Sequence, residues 1–143
     1  FNPTMTPYDP ESTPGFFVHI VYDLNVPNSP VYDSLFPILN QLNVAVLSKI
    51  RINLNFRLSE PYSSPFHSDT EDMDEDVATK WTVSIFYINT NNGYTELEDG
   101  TKVESVANRM VTFPSNTRHR IVTQTDEQRR ILINFNYLKA KIL

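Results

Sequence analysis

The chain has 143 residues, a net charge of −5 and no cysteine, which suits one domain with its own core and excludes disulfides, zinc–thiolate sites, iron–sulfur clusters and thiol nucleophiles. The negative balance argues against a nucleic-acid wrapping surface, which needs a basic stripe to displace counterions, although a local basic pocket and hence nucleic acid are not excluded. No apolar run reaches the length of a membrane span and no signal-peptide pattern opens the chain, so a soluble, cytoplasmic protein without membrane contact is expected.

With 3 Gly, 10 Pro, 9 Phe and 7 Tyr, the composition favours strands with extended ends over a helix bundle. Phe1 has no Met before it, as expected of a piece of something longer. Residues 1–14 carry Pro3, Pro7, Pro10 and Pro14 and read as an extended arm, leaving 15–143 as the core of a single domain. The aromatic and β-branched run 16–22 predicts a strand, within which His19 reads as a packed or edge residue rather than a ligand. Ser29-Pro30 has the form of an N-cap and N1 proline, and Leu35, Ile38, Leu39 and Leu42 follow at helical spacing. Pro37 lies inside that pattern and predicts a kinked or late helix.

Residues 49–58 alternate cleanly, with Ile50, Ile52, Leu54, Phe56 and Leu58 on one face and Lys49, Arg51, Asn53, Asn55 and Arg57 on the other. Lys49 and Arg51 read as solvated, whereas Asn53, Asn55 and Arg57 approach the segment that follows and are candidates to line a pocket for a substrate. Residues 71–76 are almost all acidic and read as an exposed loop, with a lid or a competing ligand at Glu71 as the functional alternative. Residues 81–89 alternate with both faces largely apolar, as expected of a central strand. Turns at Asn91-Asn92-Gly93 and Glu98-Asp99-Gly100 bracket a short strand over 94–97, and two more strands are expected over 109–113 and 130–137. Short strands with turns between them and one early helix imply a mainly β sandwich or jelly roll.

His67-Ser68-Asp69 puts an imidazole and a carboxylate two residues apart at the end of a strand-like run, so both would point the same way. His119, in a second strand-flanked segment, is the distant residue that could complete a site. Two His and one carboxylate on one face of a metal are the arrangement of non-heme Fe(II) oxygenases.

In this respect the chain resembles the 2-oxoglutarate and Fe(II)-dependent dioxygenases, in their prolyl-4-hydroxylase-like branch. The resemblance covers roughly residues 66–137 and rests on an ordered set. It comprises His67-x-Asp69, the strand ending Phe86-Tyr87-Ile88-Asn89, the block Met110-Val111-Thr112-Phe113-Pro114-Ser115 leading to His119, and Arg130 opening Ile131-Leu132-Ile133-Asn134-Phe135. It implies a double-stranded β-helix (jelly roll) with one or two helices packed on the outer face of the major sheet. It further implies that His67, Asp69 and His119 hold Fe(II), and that Arg130 pairs with the distal carboxylate of 2-oxoglutarate, which suits a guanidinium fork. Tyr87 would donate to the same carboxylate, and Asn134 stands on the Arg130 face where the family often has a small hydroxyl residue. The usual double glycine before the short strand is here Asn92-Gly93, a departure expected to affect the turn rather than the chemistry.

The implied activity couples oxidative decarboxylation of 2-oxoglutarate by O2, giving succinate and CO2, to hydroxylation of an unassigned substrate. A protein side chain such as a peptidyl proline, or a small molecule, is favoured. Arg120 joins Arg57, Arg109 and Arg118 as a candidate basic rim. Arg129 is the rival of Arg130, and strand parity favours Arg130 because the reverse would send Asn134 into an apolar layer. The alternatives are a non-catalytic cupin or jelly-roll domain that binds a ligand or partner, and a His-rich cupin oxygenase, which needs no arginine for a cosubstrate.

Overall fold

Strand-forming sequence dominates the chain, and the computed structural model, which describes residues 14–141, turns it into two antiparallel sheets. The arm expected over 1–14 lies, but for Pro14, outside the described residues. The major sheet is built from β1 (Phe16–Asp23), β2 (Val26–Pro27), β3 (Val44–Phe56), β4 (Thr82–Tyr87), β7 (Met110–Pro114) and β9 (Arg129–Lys139). Its six strands run in the order β2-β1-β3-β9-β4-β7. The minor sheet holds β5 (Tyr94–Leu97), β6 (Lys102–Glu104) and β8 (His119–Val122) in the order β6-β5-β8. This is the mainly β jelly roll expected from the sequence, with the helical residues 31–42 on the outer face of the major sheet.

Pro37 does more than kink the helix. Without an N–H it cannot continue the ladder, so the expected single helix is two, α1 (Val31–Ser34) and α2 (Phe36–Leu42), with Pro37 in the first turn of the second. Ser29 accepts from the Val31 amide (3.3 Å), and Pro30 rather than Ser29 is the cap residue. Asn43 ends α2 in the left-handed region at φ 55°, a conformation that asparagine tolerates.

Leu35, Leu39 and Leu42 pack on Val21, Ile50, Ile133, Phe135 and Tyr137 to form the core between helices and sheet. A second cluster, Val83, Ile85, Tyr87, Phe113 and Leu132, fills part of the space between the sheets. β4 therefore has apolar neighbours on both faces, as its sequence requires: Val83, Ile85 and Tyr87 enter the inner cluster while Phe86 packs on the outer one. β9 is divided in the same way.

The alternating run over 49–58 needs two corrections. The strand begins earlier, at Val44, and stops at Phe56, so Arg57 and Leu58 lie beyond it. Phe56 is exposed and packs edge-to-face with Phe17, ring centroids 5.4 Å apart, because β3 has by then run past the helices that cover Ile50. Four elements were absent from the expectation, β2, β6, β8 and α3 (Glu75–Ala78), each too short to show a period. The acidic stretch is thus not all loop: Asp74 caps α3 by accepting from the Asp76 amide (3.0 Å).

Candidate functional site

The His-x-Asp segment is not part of a regular strand. Residues 62–67 run along the free edge of β8, joined by the isolated bridges Ser63↔Val122 and His67↔His119. His67 and His119 exchange backbone hydrogen bonds (3.0 and 2.8 Å), so the two imidazoles stand side by side with ring centroids 4.6 Å apart. Asp69 follows in a turn, not on a continuing strand. The Thr70 and Ser115 hydroxyls pair at 3.2 Å, and Ser115 donates to the Ala78 carbonyl (2.8 Å), which ties the turn to the end of β7 and the end of α3. Arg118 holds the same segment from outside, donating to the Phe66 carbonyl (3.1 Å) and pairing with Glu98 (3.2 Å) and Glu71 (3.9 Å).

The result is one group of three potential ligands. Atoms of His67, Asp69 and His119 lie within 4.8 Å of one another, with Asp69 Oδ1 3.8 Å from His67 Nε2 and 3.6 Å from His119 Nε2. Asp69 and His119 side chains are almost fully buried, at 4 and 3 % exposure, while His67 is 44 % exposed and faces the opening. His119 Nδ1 lies 3.0 Å from the Thr117 carbonyl, which as an acceptor fixes the proton there and leaves the Nε2 lone pair toward Asp69. Burial pushes the His119 imidazole below its ordinary pKa, against the opposing pull of the Thr117 carbonyl and Asp69, so the neutral, metal-binding form is favoured. Two imidazoles and a carboxylate, with one side open, suit a first-row divalent metal.

A cavity of about 570 Å³ opens between the sheets at this group. It is lined by the three ligands, by Asn53 and Asn55 of β3, by Leu132 and Asn134 of β9, and at its far side by Thr95 of β5. Behind Thr95 lies Arg130, at 0 % exposure, while Arg129 is exposed. Strand parity had separated these two, and Ile133 and Phe135 do pack beneath α2 as that parity requires. Arg130 Nε donates to Ser105 Oγ (2.9 Å) and its Nη2 approaches Thr95 Oγ1 (3.5 Å), but buried Nη1 has no hydrogen-bond partner. The guanidinium has no carboxylate beside it among the described residues, and burial pushes its pKa down to about 10, so it is still a cation at neutral pH.

Gly93 explains how the arginine fits. A Cβ there would sit 2.9 Å from Arg130 Cδ, 2.9 Å from Asn91 Oδ1 and 3.0 Å from the Gln124 amide nitrogen. Gly93 therefore bears on the arginine's seat, whereas Asn92, the departure from the double glycine, exchanges hydrogen bonds with Thr125 and accepts none from the arginine, its amide donating to Asp126. Tyr87 is fully buried beside it; its hydroxyl donates to Thr95 Oγ1 (2.7 Å), and burial raises its pKa, keeping the proton on.

Three sequence candidates lie elsewhere than expected. Asn134 lines the cavity at the His-Asp-His end, its amide nitrogen 3.5 Å from Asp69 Oδ2 and its Oδ1 accepting from Asn136 (2.9 Å), so it meets the Asp69 carboxylate and not the Arg130 end. Arg57 is exposed and outside the cavity lining. Arg120 also lies outside it, its Nε 2.7 Å from Glu96 and its guanidinium over the Phe66 ring at 4.5 Å, which commits its charge to the minor sheet. Conversely, Lys49 and Arg51, read as solvated, line the cavity. Their shared face with Asn53 and Asn55 was the signal that placed them there.

No protein-family model matches the sequence, nor does any curated protein. Solved structures do match. A 2OG-Fe(II) oxygenase family oxidoreductase from Burkholderia pseudomallei superposes over 93% of this chain and 70% of its own, with TM-score 0.65 and 13% identity. A prolyl-4-hydroxylase from Pseudomonas putida superposes over 97% of this chain and 77% of its own, with TM-score 0.61 and 16% identity. At such identities the likeness is one of fold: this chain shares the jelly roll of 2OG-Fe(II) oxygenase structures and carries its own His-Asp-His group inside it.

Proposed function

We propose that the chain is an Fe(II)- and 2-oxoglutarate-dependent dioxygenase that hydroxylates a small molecule or a protein side chain. The observation that carries the reading is Arg130: a wholly buried guanidinium with an unpartnered Nη1, beside the cavity that also holds His67, Asp69 and His119. A buried cation without a counter-ion is costly, and a carboxylate from a bound molecule relieves that cost.

In this reading His67, Asp69 and His119 hold the metal, and Arg130, with Thr95 and Ser105 fixing its fork, receives the distal carboxylate of 2-oxoglutarate. Bound Fe(II) and 2-oxoglutarate supply the chemistry, oxidative decarboxylation by O2 to succinate and CO2 coupled to hydroxylation of a C–H bond. The protein's own contribution is geometric and electrostatic. Asn134 steadies the Asp69 carboxylate, the Thr117 carbonyl sets the His119 tautomer, and Ile85, Leu132 and Ile121 give the cavity dry walls between its two polar ends. Tyr87, a neutral donor now engaged by Thr95, stands ready beside the arginine.

Anaerobic titration of the protein with Fe(II) and then 2-oxoglutarate tests the reading through the visible charge-transfer band that chelation produces. The band is expected in the wild type, absent in His67→Ala, and to require far more 2-oxoglutarate in Arg130→Ala. A folded wild-type protein that gives no band at saturating ligand overturns the oxygenase reading in favour of a binding domain.

A further inference from the structure

Two cations in the cavity are used neither by the metal group nor by the Arg130 end. Lys49 and Arg51 line the cavity from the same face of β3 as Asn53 and Asn55. The register with β9 orders this row: Asn55 is opposite Arg130, Asn53 opposite Leu132, Arg51 opposite Asn134 and Lys49 opposite Asn136. Asn134 reaches Asp69, so Arg51 stands at the level of the metal ligands and Lys49 beyond it. At about 3.4 Å per residue, Arg51 is roughly 13 Å along the sheet from the Arg130 level. One cationic place thus lies at and beyond the level of the His-Asp-His group, and the other, Arg130, on its opposite side.

The row is also short of partners. Buried Arg51 Nε and Asn53 Oδ1 have no hydrogen-bond partner, and among the described residues neither Lys49 nor Arg51 forms an ion pair. Buried polar atoms are nearly always paired, so a donor and an acceptor left open side by side in a cavity wall mark where a ligand's own polar groups belong. The donor and cations call for an anionic group. The open amide oxygen calls for an N–H or O–H.

We infer that the inner row of β3 is the site of the primary substrate, and that this substrate is a small organic molecule bearing a carboxylate or phosphate. Its anionic group pairs with Arg51 and Lys49, and a neighbouring N–H or O–H donates to Asn53. The inference rests on the oxygenase reading, which gives the Arg130 end to the cosubstrate and leaves the β3 row for the molecule to be oxidised. A polyanion such as a nucleic acid is a poor fit, since Glu71 lines the same cavity and the acidic stretch follows it.

The test is calorimetric titration of the full chain, both unloaded and holding Fe(II) and 2-oxoglutarate under nitrogen. The probes are N-acetylglycine against N-acetylglycinamide and glycerol 3-phosphate against glycerol. At least one anion is expected to bind about tenfold or more tightly than its neutral counterpart, the scale of one charge-assisted hydrogen bond. Arg51→Gln should erase that preference and Lys49→Gln should weaken it, while both variants keep the Fe(II)/2-oxoglutarate band. Lys49→Gln keeps the test decisive if Arg51→Gln does not fold. The inference is overturned if neither anion is preferred, if the preference survives both substitutions, or if Arg51→Gln weakens 2-oxoglutarate as much as the probe. A band without an anion preference sinks this inference alone. An anion preference without a band sinks the oxygenase reading alone.

Discussion

Under the helices, the major sheet presents Ile50, Ile133, Phe135 and Tyr137, closed over by Leu35, Leu39 and Leu42. Turned toward the minor sheet, the same two central strands present Lys49, Arg51, Asn53 and Asn55 beside Arg130, Leu132, Asn134 and Asn136. One face buries apolar area, which favours folding at roughly 25 cal/mol per Å². The other buries polar groups, four of whose atoms, in Arg51, Asn53, Asn55 and Arg130, have no partner. Such groups cost stability unless something binds them. The difference teaches that stability and function are divided between faces of single strands, residue by alternate residue, and substitutions should separate them.

The largest effect belongs to the apolar face. Phe135 is completely buried at the centre of the outer core, so Phe135→Ala should cost about 3–5 kcal/mol of unfolding free energy through lost transfer energy and an unfilled cavity. Urea denaturation measures this. Whatever fraction stays folded should bind Fe(II) and 2-oxoglutarate with wild-type affinity; a change in affinity would mean that the faces are coupled.

Arg130→Met should show the converse. The depression of the arginine's pKa to about 10 corresponds to a burial cost on the order of 3 kcal/mol, which the apolar side chain does not incur. The loss of the Ser105 hydrogen bond offsets part of that gain. Stability should therefore stay level or rise, while 2-oxoglutarate affinity falls by about 1.5–3 kcal/mol per charge-assisted hydrogen bond removed. A variant that unfolds would show that the arginine is a structural strut.

Asn134 lies on the cavity face, its side chain hydrogen-bonded to Asp69 and Asn136. Asn134→Ala should lower metal affinity roughly 10–100-fold, the usual range for a group that orients a metal ligand, with little change in the 2-oxoglutarate concentration that half-saturates the metal-loaded protein. Competition against a metallochromic indicator reads the first effect and the charge-transfer band the second.

This division of faces was partly legible in the sequence. Period-two alternation over 49–58 and 130–137 displays which residues share a side, and it separated Arg130 from Arg129 correctly because the wrong choice would have buried Asn134 among Ile and Phe. Parity does not say which side meets solvent. That depends on whether a second layer covers the polar row, so Lys49 and Arg51 read as solvated although they share a face with Asn53 and Asn55. The spacing of His67 and Asp69 marks them as a pair, yet the geometry that joins them to His119 was not legible. Asp69 is placed by a turn fastened through Thr70 and Ser115, a contact across 45 residues that no local pattern reveals. The place of Arg120 outside the cavity has a related reason: charge shows in a sequence, but whether it finds a partner such as Glu96 does not.

The smallest predicted effect is the sharpest test of the comparison. Asn53 lines the cavity with a buried, unpartnered Oδ1 and pairs in register with Leu132. Leucine is nearly the same size, fits a strand at least as well, and has nothing to leave unpaired. If the inner row is polar for function, Asn53→Leu should stabilise the protein by about 1 kcal/mol, raising the melting temperature by roughly 3 °C for a chain of this length. The Fe(II)/2-oxoglutarate band should persist. If the substitution instead destabilises by 1 kcal/mol or more, Asn53 contributes to folding through its own hydrogen bonds, and the polar face would be part of the scaffold rather than a surface held open for a ligand.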